Sequence, residues 1–370
     1  MELSRSLSFS ILGIFGLFFG TYLLQSSEQL TAREIKIAAL LCLSGECAEW
    51  GQNSLNGMEL AVEEINSSGG LLGKEVKLIV EDTQEATNVS AAVRAYRKVR
   101  IDSEVRLILG PTWSPAGLAL APIIGADQEV IATSPSLGMS EYNEAADNIF
   151  NVWPHDDIAT RKLARYAYQA GIRRAAIFSS QQPWEKLQGD VFEEEFTAAG
   201  GQISAKLEPL PDANDLKVES LRIFDSQPEL VFFSITNRMG LAARELTRLG
   251  YVGSKLAVLI DDTRVADAQG ALEGCVFVRY PEAQGDFQKK YFAKFNQNPG
   301  ITADTAYDAL WLYAHAIQQS ESLEIEKLKA LLPQLHFEGA SGTVRFDKDG
   351  GVQREPGRYR VAHGNYVPMN

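Results

Sequence analysis

From Ile35 onward the chain alternates short apolar runs with longer stretches in which apolar residues recur every three or four positions. The run that opens at Ile35 reads as a buried-type strand ending in a polar turn at Ser44-Gly45. A helix follows, with Leu55, Met58, Val62 and Ile65 on a single face. Gly69 and Gly70 stop it, and a second strand, Val76–Val80, comes at once. This is a βαβ unit with a long polar loop at the carboxyl end of its first strand, where open α/β sheets bind ligands.

The alternation predicts a helix over about Asn88–Arg100, a strand Val105–Leu109 ending at Gly110-Pro111, a helix from near Ser114, and a strand Val130–Thr133 ending at Ser134-Pro135. It restarts at Arg173. Strands are expected at Ala175–Phe178, Ile203–Leu207, Leu230–Ile235 and Leu256–Leu259, with helices at Glu185–Ala199, Leu216–Phe224 and Met239–Leu249 between them. Strands and helices in this rhythm imply parallel sheets covered on both faces, joined by right-handed crossovers. The restart near residue 154 marks a second lobe of the same architecture.

A chain of 370 residues can bury a core in each of two lobes. Its formal net charge of −13 argues against nucleic acid as a partner, because phosphate binding needs clustered Lys and Arg. The acidity reads as solubility. Arg5 precedes the uncharged stretch Leu7–Ser27, which is expected to direct export. No small-x-small cleavage pattern follows Leu24, and about 20 apolar residues can span a bilayer, so residues 1–33 are either a signal peptide or an N-terminal membrane anchor. Cys42 and Cys47 are close enough in sequence for a disulfide pinning the loop after the first strand, or for two small buried residues. Cys275 lies in the apolar run Cys275–Val278 and reads as a core thiol. The histidines at 155, 315, 336 and 363 are scattered and no CxxC is present, so neither a metal nor a cofactor is expected.

The segment from Ile35 to Asp82, with its LSG, AEWG, LAVEEIN and GGLLG wording, resembles the type I periplasmic solute-binding proteins of the branched-chain amino acid (Leu/Ile/Val)-binding family of ABC importers. TADTAYDALWLYAHAI (302–317) is similar to that family's YDA helix, and FEGASGTVRFDKDGG (337–351) to its late hairpin. The resemblance runs from residue 34 onward. It implies two doubly wound lobes joined by three hinge crossovers, with residues 34–153 and 281–350 in lobe one and 154–280 and 351–370 in lobe two.

In such a fold a ligand lies between the lobes. Gly110–Pro115 suits a carboxylate, since a helix N-terminus offers free N–H groups and partial positive charge. Ser114 reads as the N-cap with Pro115 at N1, either as a cap alone or, as the resemblance implies, also on the ligand's carboxylate, beside Trp113. Thr133–Gly138 resembles the second ligand loop, with Ser136 and Gly138 on the ligand. Gly138 stands where amino acid binders carry a threonine, which weakens an α-amino acid assignment. Trp50 and Trp184 are expected as lids, with core packing as the alternative. Asp261 and Asp262, at the end of Leu256–Ile260, are candidates for a ligand's ammonium, one of them capping the next helix. Thr236 and Asn237 end the neighbouring strand and also face the cleft. Asp156-Asp157 fits the first crossover and a hinge role.

GxSxG, P-loop, GxGxxG and HExxH signatures are missing from the sequence, so no enzyme is expected. The expected function is the solute-binding component of an importer: a small amino acid, amide or carboxylate bound by hinged closure, a membrane permease as partner, and a monomeric, periplasmic protein. A membrane-anchored sensor of the same fold is the alternative.

Overall fold

The computed structural model describes residues 34–369 apart from 85–88, 104, 282 and 284. The export or anchor segment expected at residues 7–27 lies outside the described residues. Among those described, no helix is long and apolar enough to cross a membrane.

Five strands form the first sheet: β1 (Glu34–Leu41), β2 (Glu75–Asp82), β3 (Leu107–Leu109), β4 (Ile131–Ser134) and β5 (Ile149–Asn151). They run parallel in the order β2-β1-β3-β4-β5, so the chain starts in the interior and winds outward in both directions. Ile37 on β1 pairs with Leu78 and Leu107 of its two neighbours. The helices Ala48–Ser67 and Ala303–Ser320 cover one face, burying Met58, Ala61, Ile65, Leu310 and Tyr313 against it. The helices Val89–Asp102 and Ser114–Ala126 cover the other with Tyr96, Val99, Leu120 and Ile124. Both faces are thus dry, which is why these strands read as continuous apolar runs.

The second sheet starts with β6 (Arg174–Phe178), β7 (Gln202–Leu207), β8 (Leu230–Phe233), β9 (Ser254–Val258) and β10 (Val276–Arg279). After the hairpin of β11 (His336–Gly339) and β12 (Gly342–Arg345), β13 (Gly357–Ala362) and β14 (Asn365–Met369) complete it. Its order is β14-β13-β10-β9-β8-β6-β7, with the last two strands of the chain antiparallel at one edge. Phe192, Phe196 and Phe232 fill one side and Phe178, Phe233 and Phe277 the other. The chain passes between the sheets after β5, after β10 and after β12, giving two α/β lobes and three crossings.

Some elements went unread in the sequence. In the β13–β14 hairpin at a sheet edge only the first strand alternates arginines, Arg358 and Arg360, with apolar residues, and the helix Asp156–Gln169 begins within the segment read only as a crossover. Cys275 is buried in the second lobe, and burial pushes its thiol up to about 12.

Candidate functional site

The carboxyl ends of strands from both sheets face each other across the crossings. A cavity of about 330 Å³, counted with its mouth, opens there between Trp50, Thr112, Trp113, Ser114 and Ser136 on one side and Asp156, Gln182, Trp184, Thr236 and Leu259 on the other. Every strand-end loop singled out in the sequence contributes, because a parallel sheet directs all such loops to one edge.

On the first lobe, Cys42 and Cys47 are disulfide-bonded, with Cα atoms 5.8 Å apart, and lead directly into the helix that carries Trp50. Gly51 lets that helix start against the end of β1: a Cβ there would fall 1.7 Å from the Cys42 carbonyl oxygen. Trp50 meets Trp113 edge-on at 5.3 Å and lies 6.4 Å from Trp153. The helix Ser114–Ala126 begins one residue earlier than the N-cap assignment of Ser114 requires. Trp113 has the extended cap backbone (φ −128°, ψ 138°) and Ser114 is the first helical residue, with Pro115 behind it. The Ser136 hydroxyl donates to the Thr112 carbonyl at 2.8 Å, and the Thr112 hydroxyl accepts from the Cys42 N–H at 3.0 Å, which ties the three loops together.

On the second lobe, Trp184 follows Pro183 at the start of a helix capped by Gln182, whose side chain accepts from the Glu185 N–H at 2.8 Å. Glu185, which sequence reasoning missed, is buried beneath the cavity. It accepts from the Thr236 N–H at 2.7 Å and from the hydroxyls of Thr236 and Ser180. Burial raises its carboxyl above the usual range, against the pull of those donors and of Arg264. Thr236 therefore lines the cavity with its hydroxyl already committed.

Asp156 departs from its hinge-only reading. Its Oδ1 accepts from Trp153 Nε1 at 3.1 Å and its Oδ2 from Trp184 Nε1 at 2.9 Å, so one carboxyl joins indoles from the two lobes in the cavity wall. Burial pushes this carboxyl up to about 8. The space that Gly138 leaves open, reserved in the sequence reading for a ligand, is filled by this group.

The paired aspartates separate. Asp261 caps the helix Asp262–Asp267 through the Arg264 N–H at 2.9 Å, and its other oxygen pairs with Arg264 Nη1 at 2.5 Å. Asp262 opens that helix on the exposed side. Leu259, just before them, holds the left-handed backbone (φ 54°) at the cavity wall, a conformation retained where surrounding structure imposes it.

Contacts across the mouth hold the lobes together. Glu46, within the disulfide loop, accepts from Arg238 at 2.7 Å and from Asn237 at 3.1 Å, and Glu49 accepts from Thr263 at 2.9 Å. Asn237 thus lies at the mouth rather than in the cavity. Glu46 and Arg238 carried no sequence signal beyond their charge.

A family model described as periplasmic binding protein matches residues 34–363. The chain is similar to a Leu/Ile/Val-binding protein of Rhizobium johnstonii, 25% identical over 219 residues that span 59% of each chain. It is 24% identical to the leucine-, isoleucine-, valine-, threonine- and alanine-binding protein of Pseudomonas aeruginosa, over 89% of this chain and 90% of that one. Among solved structures, a leucine-binding protein of Thermotoga maritima superposes with a TM-score of 0.83 at 23% identity, covering 91% of this chain and 98% of the other. These are solute-binding proteins and not enzymes.

Proposed function

The chain belongs to the periplasmic binding protein family, and from that premise we propose that it is the exported solute-binding component of an ATP-driven importer, holding an amino acid or related small amide or carboxylate between its lobes. The observation that carries this reading is the cavity itself, whose walls come from strand-end loops of both sheets. A ligand docks first on the Ser114 helix start, beside Ser136, where the first-turn N–H groups favour negative oxygen. Lobe two then closes with Trp184 and Thr236, excluding water and strengthening the polar contacts inside. A permease that recognises the closed form responds to ligand through the ligand's preference for that form.

The test is thermal stability of the purified protein against amino acids, short amides, urea and small carboxylates. A compound at 100 times its dissociation constant should stabilise the fold by about 2.7 kcal/mol. No shift with any of them would count against the proposal. The second reading, an anchored sensor of the same fold, is favoured by the uncharged stretch Leu7–Ser27. N-terminal sequencing of the exported protein separates the two: a mature start near residues 26–34 excludes the anchor.

A further inference from the structure

A second cavity, of about 430 Å³ counted with its mouth, lies at the hinge and shares only Leu259 with the cleft. All three crossings contribute to its walls: Trp153 after β5, Tyr280 and Pro281 after β10, and Arg354 after β12. The start of the helix Ala303–Ser320 adds Asp304. Trp153 and Tyr280 meet edge-on at 5.6 Å, and both spend their polar atoms elsewhere, the indole on Asp156 and the phenol on the His155 carbonyl at 3.2 Å. The hydroxyls of Thr302 and Thr305, also in the wall, are donated to backbone carbonyls.

The charged side chains of this cavity are in a different condition. Arg279, 5% exposed, donates to the Tyr366 hydroxyl at 2.6 Å. Arg354 donates through Nη2 to the Ser341 hydroxyl, which in turn donates to Asp308. Asp304 accepts the Thr305 N–H at 2.8 Å. Burial raises the Asp304 carboxyl above the usual range, against the pull of Arg354 and Arg279. Among the described residues neither Asp304 nor Arg354 forms an ion pair, although both line the same cavity. Two opposite charges thus border a common space without meeting, which is costly where water is scarce.

We propose that this hinge cavity is a second ligand site, separate from the cleft, and that it takes a small zwitterion of amino acid size, its carboxylate on Arg354 and its ammonium on Asp304. A guanidinium matches a carboxylate through parallel N–H bonds, and a carboxylate accepts an ammonium, so both contacts are charge-assisted. A simple anion would leave Asp304 unanswered, and a simple cation would leave Arg354 so. Trp153, Pro281 and Ile301 supply apolar walls that suit an aliphatic side chain. The site stands whatever the cleft binds.

The experiment is calorimetric titration of the purified protein with L-valine, with 3-methylbutanoate, which lacks the ammonium, and with 2-methylpropylamine, which lacks the carboxylate. The variants are Asp304→Asn and Arg354→Gln, at positions that do not line the cleft. Valine should bind the hinge site at least about tenfold more tightly than either analogue. D304N should weaken valine at that site by at least about tenfold and leave 3-methylbutanoate unchanged, whereas R354Q should weaken both. D304N keeps an acceptor for the Thr305 N–H, and a merely structural role for Asp304 would move the two compounds together. Where the cleft also takes valine, the native protein binds two equivalents and each variant one. Should R354Q not fold, D304N decides by itself. No valine bound by the native protein, valine binding unchanged in D304N, or D304N weakening valine and 3-methylbutanoate alike overturns the proposal.

Discussion

The Asp156 carboxyl is packed against Gly138 so closely that a Cβ on that glycine would fall 1.7 Å from Asp156 Oδ2 and 3.0 Å from Trp184 Nε1. The Asp156 N–H also donates to the Gly138 carbonyl at 3.1 Å, so the two residues bind the first crossing to the second ligand loop.

Gly138→Ala should therefore damage both the fold and the site. The new methyl forces the carboxyl out of its two indole bonds, and overpacking of this kind costs about 1–3 kcal/mol. Ligand affinity should fall with it, because Trp184 is displaced. Adding Asp156→Ser to G138A should recover part of the loss. Strictly additive effects in denaturant unfolding would show that the two side chains do not collide.

Asp156 also makes stability depend on pH. Its carboxyl is pushed up to about 8 by burial, with the indoles opposing and Asp157 adding to the rise. The unfolded chain releases the same proton near a pKa of about 3.9. Between these values the folded state binds more protons, so stability falls as pH rises, by up to about 1.4 kcal/mol per unit. The contribution is complete below about pH 4 and lost above about pH 8. Unfolding in urea at pH 5 and pH 8 should show a smaller drop for Asp156→Asn than for the native protein; equal drops would assign the dependence elsewhere.

Glu46→Ala removes the acceptor that spans the mouth to Arg238 and Asn237. The pair is partly exposed, with side chains 42% and 16% accessible, so its loss is worth about 0.2–1 kcal/mol. Because these contacts join the two lobes, the effect should appear as weaker ligand binding with a faster off-rate, larger at low than at high salt. A slower on-rate with an unchanged off-rate would place Glu46 in encounter rather than closure.

Asp308 predicts the reverse pattern. Its buried carboxyl, pushed up to about 6 by burial, accepts from the Ala340 N–H at 2.7 Å, from the Ser341 N–H at 2.8 Å and from the Ser341 hydroxyl. Asp308→Ala orphans these donors beneath the β11–β12 turn and should cost at least about 2 kcal/mol. Affinity for a ligand, measured below the melting transition, should be unaltered. A loss of affinity without a loss of stability would contradict this role.

The sequence exposed what depends on periodicity and lost what depends on long-range pairing. The βαβ opening, the strand-end loops and the tryptophans at positions 50 and 184 were legible, because apolar spacing and polar neighbours mark them locally. The Asp156–Gly138 contact was not, since it joins residues from different elements with no shared pattern. Asp261 shows a third case. Its pairing with Arg264 lies at i,i+3 in DDTR and was open to reading, yet a strand-end carboxylate in a binding cleft suggested a ligand before an internal partner. Glu185 carried only a faint signal, an acid in the first turn of a helix after a proline. Its fully engaged carboxyl emerges only when Ser180 and Thr236 are brought beside it.

Trp50, Trp113, Trp153 and Trp184 are four of the chain's five tryptophans, and all four line or flank the cleft. The fifth, Trp311, packs between Tyr307 and His315 on a helix of the first lobe. Most of the indoles that give the protein its ultraviolet emission consequently sit at the seam between its halves. Any movement that wets or separates those indoles changes the colour and intensity of that light, so the unlabelled molecule is its own optical gauge of opening.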